Sequence, residues 1–122
     1  MRSFKELLVW QKAHRFALDV YGATRDFPSE ERFGLTSQLR RSAVSIASNI
    51  AEGCGRNGPA EMSRFLQISI ASACELISQL DVAAQLELMS PIEGQDLTDI
   101  ADHVRRMLIN LQANVERRRS GS

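Results

Sequence analysis

The chain has 122 residues, 43% of them hydrophobic and 25% charged, with only 3 prolines and 7 glycines. That length favours one domain with a core needing no disulfide or metal, and that composition excludes a wholly disordered chain. Its 15 Lys and Arg balance its 15 Asp and Glu, so no whole-molecule field draws the protein toward nucleic acid or a membrane. Any such attraction has to come from a local patch.

The N-terminal MRSFKELLVWQK holds only the apolar run LLVW, too short for a signal-peptide core or a bilayer span. A cytoplasmic location without a membrane partner is the expectation. Ser3 stands three residues before Glu6, the spacing at which hydroxyl and carboxylate cap each other's backbone amides. Trp10, Ala13, Ala17, Val20 and Thr24 then recur at helical steps until DFPS, around Pro28, stops the pattern. A first helix over about 4–26 follows.

Ser29 opens the second segment, with Glu30 and Glu31 where carboxylates suit the positive end of the helix dipole. Leu35, Leu39, Ala43, Ile46, Ile50 and Cys54 form one apolar stripe, and Gly53, Gly55 and Gly58 end it. The predicted helix spans about 30–54. A third, about 58–89, begins near Asn57 and Pro59 and is apolar over well over half its circumference, so it must be contacted on more than one side. The fourth starts at SPIE, with Ser90 as cap, Pro91 in the first turn and Glu93 closing the box. Its single seam, from Leu97 to Val115, fits an outer helix over about 91–116.

No segment alternates with period two, and short connections between long helices imply antiparallel neighbours. An all-α, up-down-up-down four-helix bundle over residues 1–116 is the expected fold, followed by a basic, frayed tail at 117–122.

On a helical wheel at about 100° per residue, Ala43, Val44, Ile46, Ala47, Ile50 and Ala51 of the second helix share one side. Gln38, Arg41, Ser42, Ser45, Ser48, Asn49 and Glu52 share the other. Serine and asparagine are poor helix formers because they compete for backbone groups; they suit a face that another helix approaches closely. In the third helix Glu75 sits at the edge of the apolar arc with Ser72 and Gln79 beside it. A polar network of Arg41, Ser45, Asn49, Glu52, Ser72, Glu75 and Gln79, fixing helix register or a subunit contact, is therefore expected. Arg40, Arg41 and Asn49 are the candidate partners of Glu75, within the same molecule or across an interface.

Glu52 and Glu75 could in principle share acid and base work. Against that, the Glu-x-x-His signature of di-metal bundles is missing, and no GxSxG, Walker loop, dinucleotide fingerprint or HExxH occurs. His14 and His103 stand without Asp or Cys at ligand spacing, and read as surface or interface residues. Cys54 and Cys74 lie far apart and read as reduced. No enzymatic activity, cofactor or metal is expected. Nucleic acid is the stronger rival to plain scaffolding: Arg40, Arg41, Arg56, Arg64, Arg117, Arg118 and Arg119 are the candidate phosphate contacts, and a ring of subunits would repeat them.

FKELLVWQKA (Phe4 to Ala13), FPSEERFGLTSQLRRSAVSIASNIAEGCGR (Phe27 to Arg56) and FLQISIASACELISQL (Phe65 to Leu80) together resemble the four-helix-bundle proteins of the 23S rRNA-intervening-sequence family. QLRRSAVSIASNIAEG carries the most specific part of the likeness. The resemblance implies a homopentameric, barrel-like ring, no catalytic residues, and kinship with the accessory variability proteins of diversity-generating retroelements, which bind a reverse transcriptase and nucleic acid. Ala47 stands where many relatives have proline, Ala71-Ser72-Ala73 replaces a usual Gly-Ser-Leu, and nucleic-acid-binding relatives are strongly basic where this chain is neutral. The expected partner is thus the chain itself, with RNA or another protein as alternatives.

Overall fold

The computed structural model describes residues 3–121. Four long helices dominate it: α1 (Leu8–Thr24), α2 (Leu35–Gly55), α3 (Gly58–Gln85) and α4 (Pro91–Gly121), with no strand among the described residues. α1 touches α2 and α4, and α3 touches α2 and α4, while the two diagonal pairs do not meet. Ser42 of α2 meets Gln79 of α3 and, further along, Gly53 lies against Phe65, so these two helices run antiparallel. Phe16, Leu39, Ile46, Ile50, Leu66, Leu76, Leu80 and Leu108 are fully or almost fully buried between the four, each worth roughly 1.5–3 kcal/mol of apolar burial.

The helix starts depart from expectation wherever a tertiary contact outweighs a local signal. Phe4–Glu6 forms a separate 3-10 turn, Leu7 is extended, and the α-helix begins only at Leu8. The break turns Phe4 back onto the Trp10 ring at 5.1 Å, and Trp10 in turn stacks on His14 at 4.7 Å. Ser3 caps only half the expected box, accepting the Lys5 amide. At the second helix, Ser29–Glu31 is again a 3-10 turn and α2 starts at Leu35. Glu31 is the carboxylate that accepts the Leu35 N–H, at 3.3 Å. A Cβ on Gly34 would lie 3.2 Å from that carboxylate oxygen, so a larger residue there would nudge the capping carboxylate.

α3 stops at Gln85, short of the expected 89. Glu87 adopts a left-handed conformation, φ 60°, and the Leu88 and Glu87 amides return to the carbonyls of Ala83 and Ala84. That is the paired hydrogen-bond pattern of a Schellman cap, with glutamate in the position that glycine fills without a Cβ penalty. Glu87→Gly should therefore stabilise the protein, by up to about 1 kcal/mol after the entropy of the unfolded glycine is deducted. A lower urea midpoint for the variant would contradict this account of the cap.

The fourth helix begins as expected, with the Glu93 amide donating to Ser90 Oγ at 3.1 Å. Its helical geometry runs past the expected 116, to Gly121. Glu116 accepts a hydrogen bond from Ser63 of α3 at 2.5 Å, and Arg117 and Arg119 donate to Asn114 and Glu116 within α4. A tertiary anchor one residue before the tail holds it in register. Ser122 lies outside the described residues.

Candidate functional site

Two hydrogen-bonded clusters lie along the outer α2–α3 seam. In the first, Asn49 Nδ2 donates to Ser45 Oγ at 2.9 Å and to the Ser45 carbonyl at 2.8 Å, and Ser45 Oγ lies 2.9 Å from Ser72 Oγ across the seam. In the second, Ser42 Oγ is 2.8 Å from Glu75 Oε1 and 3.0 Å from the Gln79 amide. Both partners present an oxygen, Glu75 Oε1 and Gln79 Oε1, and a hydroxyl carries one proton, so Ser42 donates to one of the two at a time. Small side chains permit this, because their hydroxyls meet only where the helix backbones come close.

The seam brings together Ser45, Asn49, Ser72, Glu75 and Gln79. Among the described residues Arg41 stands outside the network, donating to Ser37 at 3.4 Å, and Glu52 pairs with Arg56 at 3.1 Å along its own helix. Within the chain, Glu75 accepts from Ser42 rather than from Arg40, Arg41 or Asn49. Ser42 is 3% exposed, and its place on the polar arc three residues before Ser45 is the signal that could have singled it out. Ser69 is a second unforeseen member: fully buried, it donates to the Ile46 carbonyl at 2.6 Å. Within the apolar pattern of the third helix its hydroxyl gave no sign of this role.

The seam does not assemble a carboxylate pair. Glu75 meets α2 at Ser42, roughly 15 Å along the axis from Glu52 at about 1.5 Å per residue. Among the described residues no group of three or more His, Cys, Asp and Glu side chains converges.

The arginines divide between two regions. Arg40 lies over the Tyr21 ring at 4.5 Å and donates to Thr24 Oγ1 at 2.9 Å, so it joins α1 to α2. Arg56 and Arg64 both lean on the Phe65 ring, at 5.1 and 4.5 Å, and each also holds a carboxylate, Glu52 or Glu61. With Arg117, Arg118 and Arg119 they gather where α2 and α4 end and α3 begins. Arg41 is roughly 22 Å from Arg56 along α2, so one continuous patch of all seven does not form.

These contacts shift titration. The hydrogen bond from Arg64 holds Glu61 below the ordinary carboxylate value, that from Arg105 does the same for Asp102, and that from Ser63, aided by Arg119, for Glu116. Carboxyls depressed in the folded state stabilise it above their unfolded pKa, about 4, and lose that contribution as pH falls through the folded value. Stability should decline on acidification below about pH 5. Glu116→Gln should flatten the decline in a urea series taken at successive pH values, and an unchanged pH slope would mean that the α3–α4 link does not sense this proton.

A crystal structure of a protein of unknown function from the S23 ribosomal protein family of Bacteroides thetaiotaomicron shares the fold. Its TM-score is 0.78 at 21% identity, over 86% of this chain and 98% of that one. None of the curated proteins compared with the chain matches it. The 23S rRNA-intervening sequence protein family matches residues 5–110, nearly the whole bundle, and the chain belongs to that family.

Proposed function

We propose that this protein is a non-enzymatic, cytoplasmic interaction scaffold that works as a homo-oligomeric ring, with five copies the number the family resemblance suggests. The observation that carries the reading is the uncovered edge of α3 beside the polar seam. Ile68 and Val82, with Leu86 just past the helix end, recur there at helical spacing and are 38%, 45% and 58% exposed. Glu75 lies in the same stripe and Arg41 on the facing edge of α2, and neither forms an ion pair among the described residues. An apolar stripe carrying charges of both signs suits head-to-tail contact between copies, the kind of interface that closes rings. α3 is also long and apolar enough to cross a membrane, with a mean hydropathy of 1.2 over its best window; its packing between α2 and α4 supports a core-helix reading instead.

Light scattering at micromolar concentration should give a multiple of the 13.6 kDa chain mass. Ile68→Glu combined with Val82→Glu should return a folded monomer, with helicity unchanged by circular dichroism. A wild-type mass of one chain overturns the proposal.

A second reading, an RNA-binding accessory protein, draws on the gathering of Arg56, Arg64 and Arg117 to Arg119 at one end of the bundle. Local carboxylates already engage Arg56, Arg64 and Arg119, which weakens it. Undetectable binding of a generic single-stranded RNA at low salt, by fluorescence anisotropy, would dismiss it.

A further inference from the structure

Head-to-tail contact joins two different patches of one surface, so the exposed edge of α3 needs a receiving face elsewhere on the same chain. Because α1 touches α2 and α4 but not α3, the bundle has four sides, and the α1–α4 side lies opposite the α2–α3 side. Stacking opposite sides extends a straight file of copies. Adjacent sides stand roughly a right angle apart, so contact between them turns the direction at every step and closes a small ring.

The adjacent side formed by α1 and α2 has the matching chemistry. Leu18 and Tyr21, one turn apart on α1, and Val44, one turn beyond Arg40 on α2, are large apolar side chains left exposed there. The α3–α4 side is instead crossed by polar contacts, with Gln112 reaching Gln67 and the Ser63 carbonyl.

Arg40 supplies the charge. Its Nε donates to Thr24 Oγ1 at 2.9 Å, its Nη2 donates to the Tyr21 carbonyl at 3.4 Å, and it lies over the Tyr21 ring. These contacts hold a half-buried guanidinium in one orientation and leave it without a carboxylate among the described residues. Glu75 is the reverse case, a carboxylate that accepts from Ser42 and has no cation among the described residues. A partly desolvated charge without a counter-ion is costly, and the N–H groups that Arg40 does not use within the chain suit a carboxylate.

We propose, taking assembly through α3 as given, that the α1–α2 side of one copy receives the α3 edge of the next. Ile68 and Val82 pack on Leu18, Tyr21 and Val44, while the Glu75 carboxylate binds the Arg40 guanidinium. Each copy offers one patch and fills the other, so a closed ring leaves neither apolar patch open.

Light scattering against concentration tests the pairing. Leu18→Glu combined with Val44→Glu, both at exposed positions, should reduce the wild-type mass to that of one chain, with helicity unchanged by circular dichroism. Arg40→Glu and Glu75→Arg should each raise the concentration of half-assembly about tenfold or more, and the two together should restore assembly at the wild-type concentration. Arg40→Glu also loses the Tyr21 contact; where it lowers helicity, the Leu18 and Val44 variant decides. Wild-type mass in that variant, or a double charge variant that assembles no better than either single one, would overturn the pairing and leave assembly through α3 standing. A wild-type mass of one chain removes assembly itself, and the pairing with it.

Discussion

Phe16→Ala should lower the free energy of unfolding by about 3–5 kcal/mol, measured from urea midpoints at constant slope. The other buried side chains of α1 are Val9, Ala13, Ala17, Val20 and Thr24, all small or β-branched. Phe16, with no exposed surface, is therefore the one large side chain of α1 sunk wholly into the core, Trp10 packing against it only half-buried. Its removal deletes the transfer energy of a benzyl group and leaves a void that the close-packed Leu and Ile side chains fill only in part. Against a total stability of about 5–15 kcal/mol for a domain, that is enough to leave the bundle marginal. Phe33→Ala makes the control: this ring is 89% exposed, and its loss should stay within about 0.5 kcal/mol. Equal effects of the two substitutions would refute the placement of α1.

Gly53→Leu should cost about 2–3 kcal/mol. Gly53 is not the helix terminator that its sequence context suggests; it lies inside α2, buried, two residues before the end. A Cβ there would sit 3.1 Å from Phe65 Cβ and 3.4 Å from the Met62 carbonyl. The glycine is where α2 and α3 come closest at the turn end, and a branched side chain has to push them apart. Gly53→Ala is the instructive comparison, because a gain of about 1 kcal/mol in helix propensity opposes a contact that Phe65 can relieve only by shifting between Arg56 and Arg64. The leucine variant should unfold at clearly lower urea than the alanine variant. The reverse order would show that the helices are not in contact there.

Four helices, their order and their seams were legible because hydrophobic periodicity and capping are local properties. SPIE is the clearest case: Ser90, Pro91 and Glu93 set the start of α4 by contacts within one turn. The misses share the opposite character. Leu7 breaks the first helix because Phe4 finds Trp10, and the last turn of α4 persists because Glu116 finds Ser63, neither of which a wheel or a cap rule contains. Ser45, Asn49, Ser72, Glu75 and Gln79 were legible as a group, since small polar residues on a helix face are costly without neighbours. Their pairing was not: Ser42 reaches Glu75 from a buried position at the edge of the polar arc, and Ser69 looks like one more position in an apolar run.

The hydroxyls of Ser42, Ser45, Ser69 and Ser72 have a mechanical consequence. Apolar contacts have no preferred direction, so they fix the register of one helix against another less sharply than hydrogen bonds do. These serines fix it sharply, since a displacement of α3 by a single turn would carry Ser69 away from the Ile46 carbonyl, Ser72 from Ser45, and Glu75 and Gln79 from Ser42 in the same movement. They act together as a vernier scale with one position of coincidence. Load applied along the long axis of the bundle is thus resisted at the α2–α3 seam, while α1, joined to α2 by aliphatic packing and by Arg40, is the helix freest to shear.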